Sequence, residues 1–285
     1  MPTSKPIAPP IDKSTGPHVL TAWDLPGLVH GFCGRTGGVS TGPFATFNLA
    51  GWVGDAPDAV AENWRRWHLL HPNLPVVRVR QVHGNLVHRI DSSRICSPDD
   101  QRPAVGPEGD GMVAVDAGLA LGIFTADCVP ILMVDAERRV VSALHAGWRG
   151  TLAGIAVEGV HAMVALGARP ASIRAALGPS IGLCCFEVDA ALAETFAREI
   201  PDAAAHSRNG NLPSETPAER SVRPGKAYLD LRAILRLQLE REGLNPASIS
   251  SVGPCTRCAN DLYFSRRGAG GVTSGLQMSL IGFTP

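Results

Sequence analysis

Three short segments of the chain combine residues that bind metals or activate nucleophiles. Gln81-Val82-His83-Gly84 closes a β-like run. Ala126-Asp127-Cys128-Val129-Pro130 sits between two apolar runs. His145-Ala146-Gly147-Trp148-Arg149-Gly150 joins a strand-like run to a helix-like one. Each segment puts a soft or borderline ligand at a strand end, where a rigid scaffold can aim it. Catalytic zinc takes three protein ligands, imidazole nitrogen and thiolate sulfur among them, and keeps a fourth position for water or substrate. His83, Cys128 and His145 meet that count. They lie far apart along the chain, as in a site assembled by the fold and unlike a self-contained zinc finger. Each also has an ordinary reading. A histidine beside a glycine is more often structural, and a cysteine among apolar residues is usually a small core hydrophobe.

The surroundings of His145 sharpen the chemistry. Glycines at 147 and 150 allow close backbone approach, and a helix expected from Thr151 would offer unpaired N–H groups and partial positive charge to an anion. Arg149 could add a bidentate donor pair for phosphate or carboxylate. The alternative is an ordinary β–α turn with a solvent-facing arginine. Other signals are weaker. Cys255 and Cys258 have CxxC spacing, but a zinc site needs a second ligand pair and a redox role needs a thioredoxin-like setting. The sequence offers neither, so incidental cysteines, dispensable for catalysis, are expected. Adjacent Cys184 and Cys185 read as packing, Trp64 and Trp67 as core. His18, His68, His71, His161 and His206 stand in no supporting motif.

The elements that must position these residues follow from apolar patterning. Strands are expected near 28–33, 75–82, 85–90, 119–126, 130–135, 138–144, 172–177, 248–252 and 276–283. Helices are expected at 55–70, 151–166, 189–199 and 227–242. Strands and helices intersperse, so the class is mixed α/β. Residues 203–225 are polar and rich in Pro and Gly, as in a long surface loop. The first 17 residues carry prolines at 2, 6, 9, 10 and 17 and lack the apolar core of a signal peptide. They read as a flexible tail ahead of a single catalytic domain over 18–285.

Composition bounds the partners. The 285 residues carry 26 basic and 26 acidic side chains, which argues against nucleic acid as the main partner. A run of about 18 uncharged apolar residues is absent, so no membrane span is expected. Seven cysteines in so long a chain do not make a Cys-dense secreted scaffold. A cytoplasmic protein with mostly free thiols, monomeric or a small homo-oligomer, is the expectation.

Taken together, the motifs resemble the YfiH-like family, formerly described as multicopper polyphenol oxidases (laccase-like) and now as purine nucleoside phosphorylases with adenosine deaminase activity. The similar segments are GFCGRTGGVSTGPFATFNL (31–49), QVHG (81–84), DGMV (110–113), ADCVPILMVD (126–135), HAGWRG (145–150), LGPSIGLCCFEV (177–188), AYLDL (227–231) and CTRC with FSRR (255–267). The resemblance implies zinc on His83, Cys128 and His145. It further implies a layered α/β sandwich similar to toxin-type cysteine hydrolases. Arg35, Asn48, Gln81 and Arg149 stand in matching motifs as substrate-binding candidates. One departure is Leu276, where the family commonly has an arginine. Nine histidines, most outside any His-rich motif, do not support a multicopper cluster, so zinc is favoured over copper.

The implied activity is phosphorolysis of adenosine, inosine, guanosine or methylthioadenosine, with inorganic phosphate as co-substrate, and deamination of adenosine. Zinc brings the pKa of water to about 7, which explains deamination directly. The rival is a metal-free cysteine hydrolase, or an editing factor for peptidoglycan precursors, with Cys128 as nucleophile and His145 as base. A non-enzymatic binding protein using the same pocket is a further alternative.

Overall fold

A computed structural model describes residues 17–71, 74–91, 104–115, 118–208 and 223–285. All but the last residue of the expected N-terminal tail, and residues 209–222 of the expected long loop, lie outside these.

Continuous apolar runs build the centre. Leu119–Thr125 (β7), Val129–Asp135 (β8) and Val140–Ala146 (β9) are buried at every residue. Strands covered on both faces read as unbroken apolar runs. The first six-stranded sheet runs β1 (Val19–Leu20), β2 (Leu28–Cys33), β15 (Gln277–Phe283), β7, β3 (Val76–Arg80), β5 (Ala104–Glu108). The second runs β14 (Ile249–Ser251), β10 (Arg174–Leu177), β8, β9, β6 (Gly111–Ala114), β4 (Val87–Arg89). A third, three-stranded sheet runs β11 (Glu187–Asp189), β13 (Lys226–Leu229), β12 (Ser207–Arg208). The helices are α1 (Pro57–Leu70), α2 (Trp148–Leu152), α3 (Ile155–Ala165), α4 (Ala190–Glu199) and α5 (Leu231–Arg241).

The buried side chains sort into three interfaces. Phe32, Leu121, Ile123 and Ile281 from the first sheet meet Met112, Leu132, Val141 and Ala143 from the second. On the far side of the first sheet, Val76, Phe124 and Leu280 pack against Val60, Trp64 and Trp67 of α1. On the far side of the second, Ile131, Met133 and Leu144 pack against Ile155, Val160 and Met163 of α3 and Ile234 and Leu235 of α5. The mixed α/β expectation thus takes the form of four layers, helix, sheet, sheet, helix. Alternate residues of one strand serve opposite interfaces: Leu132 faces the first sheet, Ile131 and Met133 the helices.

Local chemistry sets the element ends. Pro57 opens α1 and Asp58 stands in its first turn, both favourable at a helix start. The expected helix 151–166 begins earlier, at Trp148, and divides at Gly154, whose φ of 80° a side chain would resist. The expected helix 227–242 is shorter. Its first residues form β13, and the helix starts after Asp230, whose carboxylate accepts the Ala233 N–H at 3.1 Å.

Candidate active site

β3 ends at Arg80, and the side chain of Gln81 then continues the pairing to β7. Its amide nitrogen donates to the Phe124 carbonyl at 2.8 Å, and its amide oxygen accepts the Phe124 N–H at 2.9 Å. The chain turns at His83, which has φ of 64°. Left-handed backbone at a non-glycine residue is strained and persists only where neighbours enforce it. Asp110 enforces it here. Its carboxylate accepts the consecutive backbone N–H groups of Val82, His83 and Gly84 at 3.2, 2.9 and 2.6 Å.

The same carboxylate, fully buried, accepts His145 Nδ1–H at 2.7 Å. This fixes the tautomer and leaves Nε2 to face the site. His145 itself belongs to β9 and is buried. Cys128 follows Asp127, a second strained residue with φ of 95°. Asp127 is held from three sides. Its carboxylate accepts the Thr256 hydroxyl and the Arg267 N–H, each at 2.7 Å, and its carbonyl accepts the Ile181 N–H at 2.9 Å.

These supports converge on one point. The ligand atoms of His83, Cys128 and His145 all lie within 4.8 Å of one another, and the two imidazoles meet edge to face at 4.8 Å between centroids. Gly147 makes room for them, since a Cβ there would stand 3.1 Å from both Cys128 Sγ and His83 Cδ2. Burial alone would raise the Cys128 thiol, but His145 and His83 beside it pull it down to about 6. Burial alone would lower His145, but Cys128 and Asp110 push it up to about 9. The ion-paired form, thiolate beside imidazolium, is therefore favoured at neutral pH.

The group lines a cavity of about 680 Å³, a volume suited to a small organic ligand. Trp52 and Phe124 form an aromatic wall, meeting edge to face at 5.0 Å. The Arg78 guanidinium lies 3.8 Å from the Trp52 ring centroid, and its Nε is buried with no hydrogen-bond partner among the described residues. Arg80 and Arg266 also line the cavity, Arg80 paired with Glu108 at 3.0 Å.

Among the four substrate-binding candidates, Gln81 alone lies on this wall. Arg35 binds the carbonyls of Ala45 and Asn260 at 2.6 and 2.7 Å and covers Phe264. Asn48 is wholly buried and accepts the Leu276 N–H at 3.1 Å, so it stands behind the wall. Arg149 is exposed and stacks on Trp148. Leu276 does line the cavity, so the departure from the family pattern falls on the site. Asp110 opens the DGMV motif, which by itself assigns it no role. Its signal was an acidic residue at the mouth of a buried strand, where a charge needs several partners. Among the described residues, no helix is long and apolar enough to cross a membrane.

Comparison with known proteins gives consistent kinship. The family model described as multi-copper polyphenol oxidoreductase laccase matches residues 29–284. A purine nucleoside phosphorylase of Streptomyces coelicolor is 39% identical over 241 residues, 85% of this chain and 90% of that one. An adenosine deaminase from an unknown prokaryotic organism is 39% identical over 197 residues, 68% of this chain and 70% of that one. The crystal structure of YlmD from Geobacillus stearothermophilus superposes with a TM-score of 0.80 at 33% identity, covering 96% of this chain and 98% of that one.

Proposed function

The chain belongs to the multi-copper polyphenol oxidoreductase laccase (YfiH-like) family, and on that premise we propose that it is a zinc-dependent purine nucleoside phosphorylase that also deaminates adenosine. The observation that carries this reading is the convergence of His83, Cys128 and His145 on the cavity wall. The donor set suits zinc better than a hard cation. It offers two imidazoles and a sulfur already biased to thiolate, and one imidazole is oriented by a buried carboxylate. A bound zinc ion would supply Lewis acidity at that point.

The chain's own residues do the rest. In phosphorolysis a phosphate oxygen bonds to the sugar C1′ while the bond to the purine nitrogen breaks and its electron pair leaves with the base. Trp52 and Phe124 offer the base an aromatic wall. Arg78 and Arg266 offer the phosphate guanidinium donors inside the cavity, a better placement than Arg149. His145, held at Nδ1 by Asp110, presents Nε2 where the ion would bind. Residues 18–285 act as one catalytic domain. A cytoplasmic location is supported by six described cysteines outside any disulfide.

A second reading is favoured by the Cys128–His145 ion pair and the Asp110 that orients it. A nucleophile, a base and an orienting third group also describe a cysteine hydrolase. That arrangement supports the comparison with toxin-type cysteine hydrolases and with peptidoglycan-precursor editing. One experiment separates the two readings: metal analysis of protein purified without added metal, with product identification from adenosine in the presence and absence of phosphate. Free adenine only with phosphate, inosine without it, and loss of both on chelation are expected. Turnover that survives complete metal removal and is abolished by thiol alkylation would establish the hydrolase instead.

A further inference from the structure

A second group of soft ligands lies away from the cavity wall. β10 and β14 run parallel, Ala175 beside Ile249 and Leu177 beside Ser251. The loops that leave them therefore emerge side by side. Their alignment continues past the strands through a parallel bridge between Ser180 and Cys255, with the Thr256 N–H donating to the Ser180 carbonyl at 3.0 Å. One loop carries Cys184 and Cys185, the other the Cys255–Cys258 turn. The ligand pair that the CxxC motif lacks in sequence is thus supplied by a vicinal pair more than 70 residues away.

We propose that Cys184, Cys185, Cys255 and Cys258 bind a structural zinc ion, separate from the His83, Cys128 and His145 group. All four sulfurs lie within 4.8 Å of one another. Cys258 Sγ stands 3.6 Å from Cys184 Sγ and 3.5 Å from Cys185 Sγ. Zinc–sulfur bonds of about 2.3 Å in a tetrahedron place sulfurs about 3.8 Å apart, which is this spacing. A disulfide would need about 2.05 Å, and no pair of the four is joined. Four thiolates fill the zinc coordination sphere and leave no position for substrate, so the site is structural in kind. Soft sulfur ligands exclude magnesium and calcium. Cys185 and Cys255 are buried while Cys258 is exposed, which gives the ion a way in.

The knot would act on the active site through one residue. Thr256, inside the CxxC turn, and Arg267, shortly after it, both hold the Asp127 carboxylate, and Ile181 in the other loop holds the Asp127 carbonyl. Tying the two loops together fixes Asp127 and with it the direction of Cys128. The cysteine set is a positioning device, with no contact to substrate.

The test uses the full-length chain with Cys128→Ala, which removes the only sulfur from the other group and leaves the four cysteines intact. Zinc analysis is expected to give about one ion per chain. Cobalt loading is expected to give an intense sulfur-to-cobalt charge-transfer band with the visible bands of a tetrahedral thiolate centre. Adding Cys258→Ser should weaken that band and lower the melting temperature. Absence of the sulfur band in the Cys128→Ala chain, or a disulfide among the four cysteines in metal-free protein, overturns the proposal. Failure of the catalytic reading looks different: the unmutated chain would then hold only the zinc that Cys128→Ala leaves in place, and would not turn over nucleosides.

Discussion

Asp110 shows how much a single carboxylate can organise. It takes three consecutive backbone N–H groups from the His83 turn and one N–H from His145, so two of the three converging side chains depend on it. Asp110→Asn replaces one carboxylate oxygen with a donor facing other donors. Loss of such an outer partner costs about 10–100-fold in metal affinity or activity, and metal content with kcat at several pH values checks it. Gly147 is constrained by space, not backbone, because its φ of −77° and ψ of 173° suit any residue. In Gly147→Ala the new methyl must displace Cys128 or His83 by a few tenths of an ångström. An activity loss of about tenfold with a near-native melting temperature is expected, below the hundredfold that ~1 Å can cost. The three converging residues were legible because their types are chemically rare at strand ends. Asp110 was not, because its partners are backbone groups that leave no mark in sequence.

At the scale of elements, legibility tracks how locally each choice is made. The fully buried strands and α1 could be read directly, since an apolar run or a one-sided tryptophan pair has few other uses. β13 was absorbed into a helix because AYLD is too short to show a period, although Asp230 already marked the true start of α5. The anion expected beside Arg149 depended on a helix N-terminus that proves to be one short turn, with the arginine stacked on Trp148. Arg266 lines the cavity instead. Arg266→Ala should therefore depress phosphate-dependent purine release about tenfold to a hundredfold, the worth of one charge-assisted hydrogen bond of about 1.5–3 kcal/mol. Arg149→Ala should change it far less, and initial rates across a phosphate series compare the two. The vicinal cysteines read as packing in the sequence for a related reason: only the parallel pairing of β10 and β14 brings them to their partners.

Over the whole molecule, stability is linked to pH through β2. His30 is buried, and its Nε2 accepts the N–H groups of Ala22 and Trp23 at 2.9 and 3.1 Å. Burial pushes its pKa down from 6.5 to about 4, and a protonated Nε2 could accept neither bond. Below about 6.5 the unfolded chain takes up a proton that the folded chain refuses. The contribution is complete above that pH and is lost as pH falls towards about 4. The urea midpoint of the wild type should drop across this window more steeply than that of His30→Phe. Equal slopes would remove His30 as the cause.

The three converging side chains reach their meeting point from both central sheets. His83 follows β3 of the first, Cys128 sits on the crossing from β7 to β8, and His145 belongs to β9 of the second. Neither sheet alone can form the group. During folding it can come into being only after strands of both sheets have paired and the interface between the sheets has closed. Return of enzymatic turnover after dilution from denaturant should lag the recovery of the far-ultraviolet circular dichroism signal. Nascent or partly folded chains would hold the thiol and imidazoles apart, unable to act on any substrate before the protein is finished.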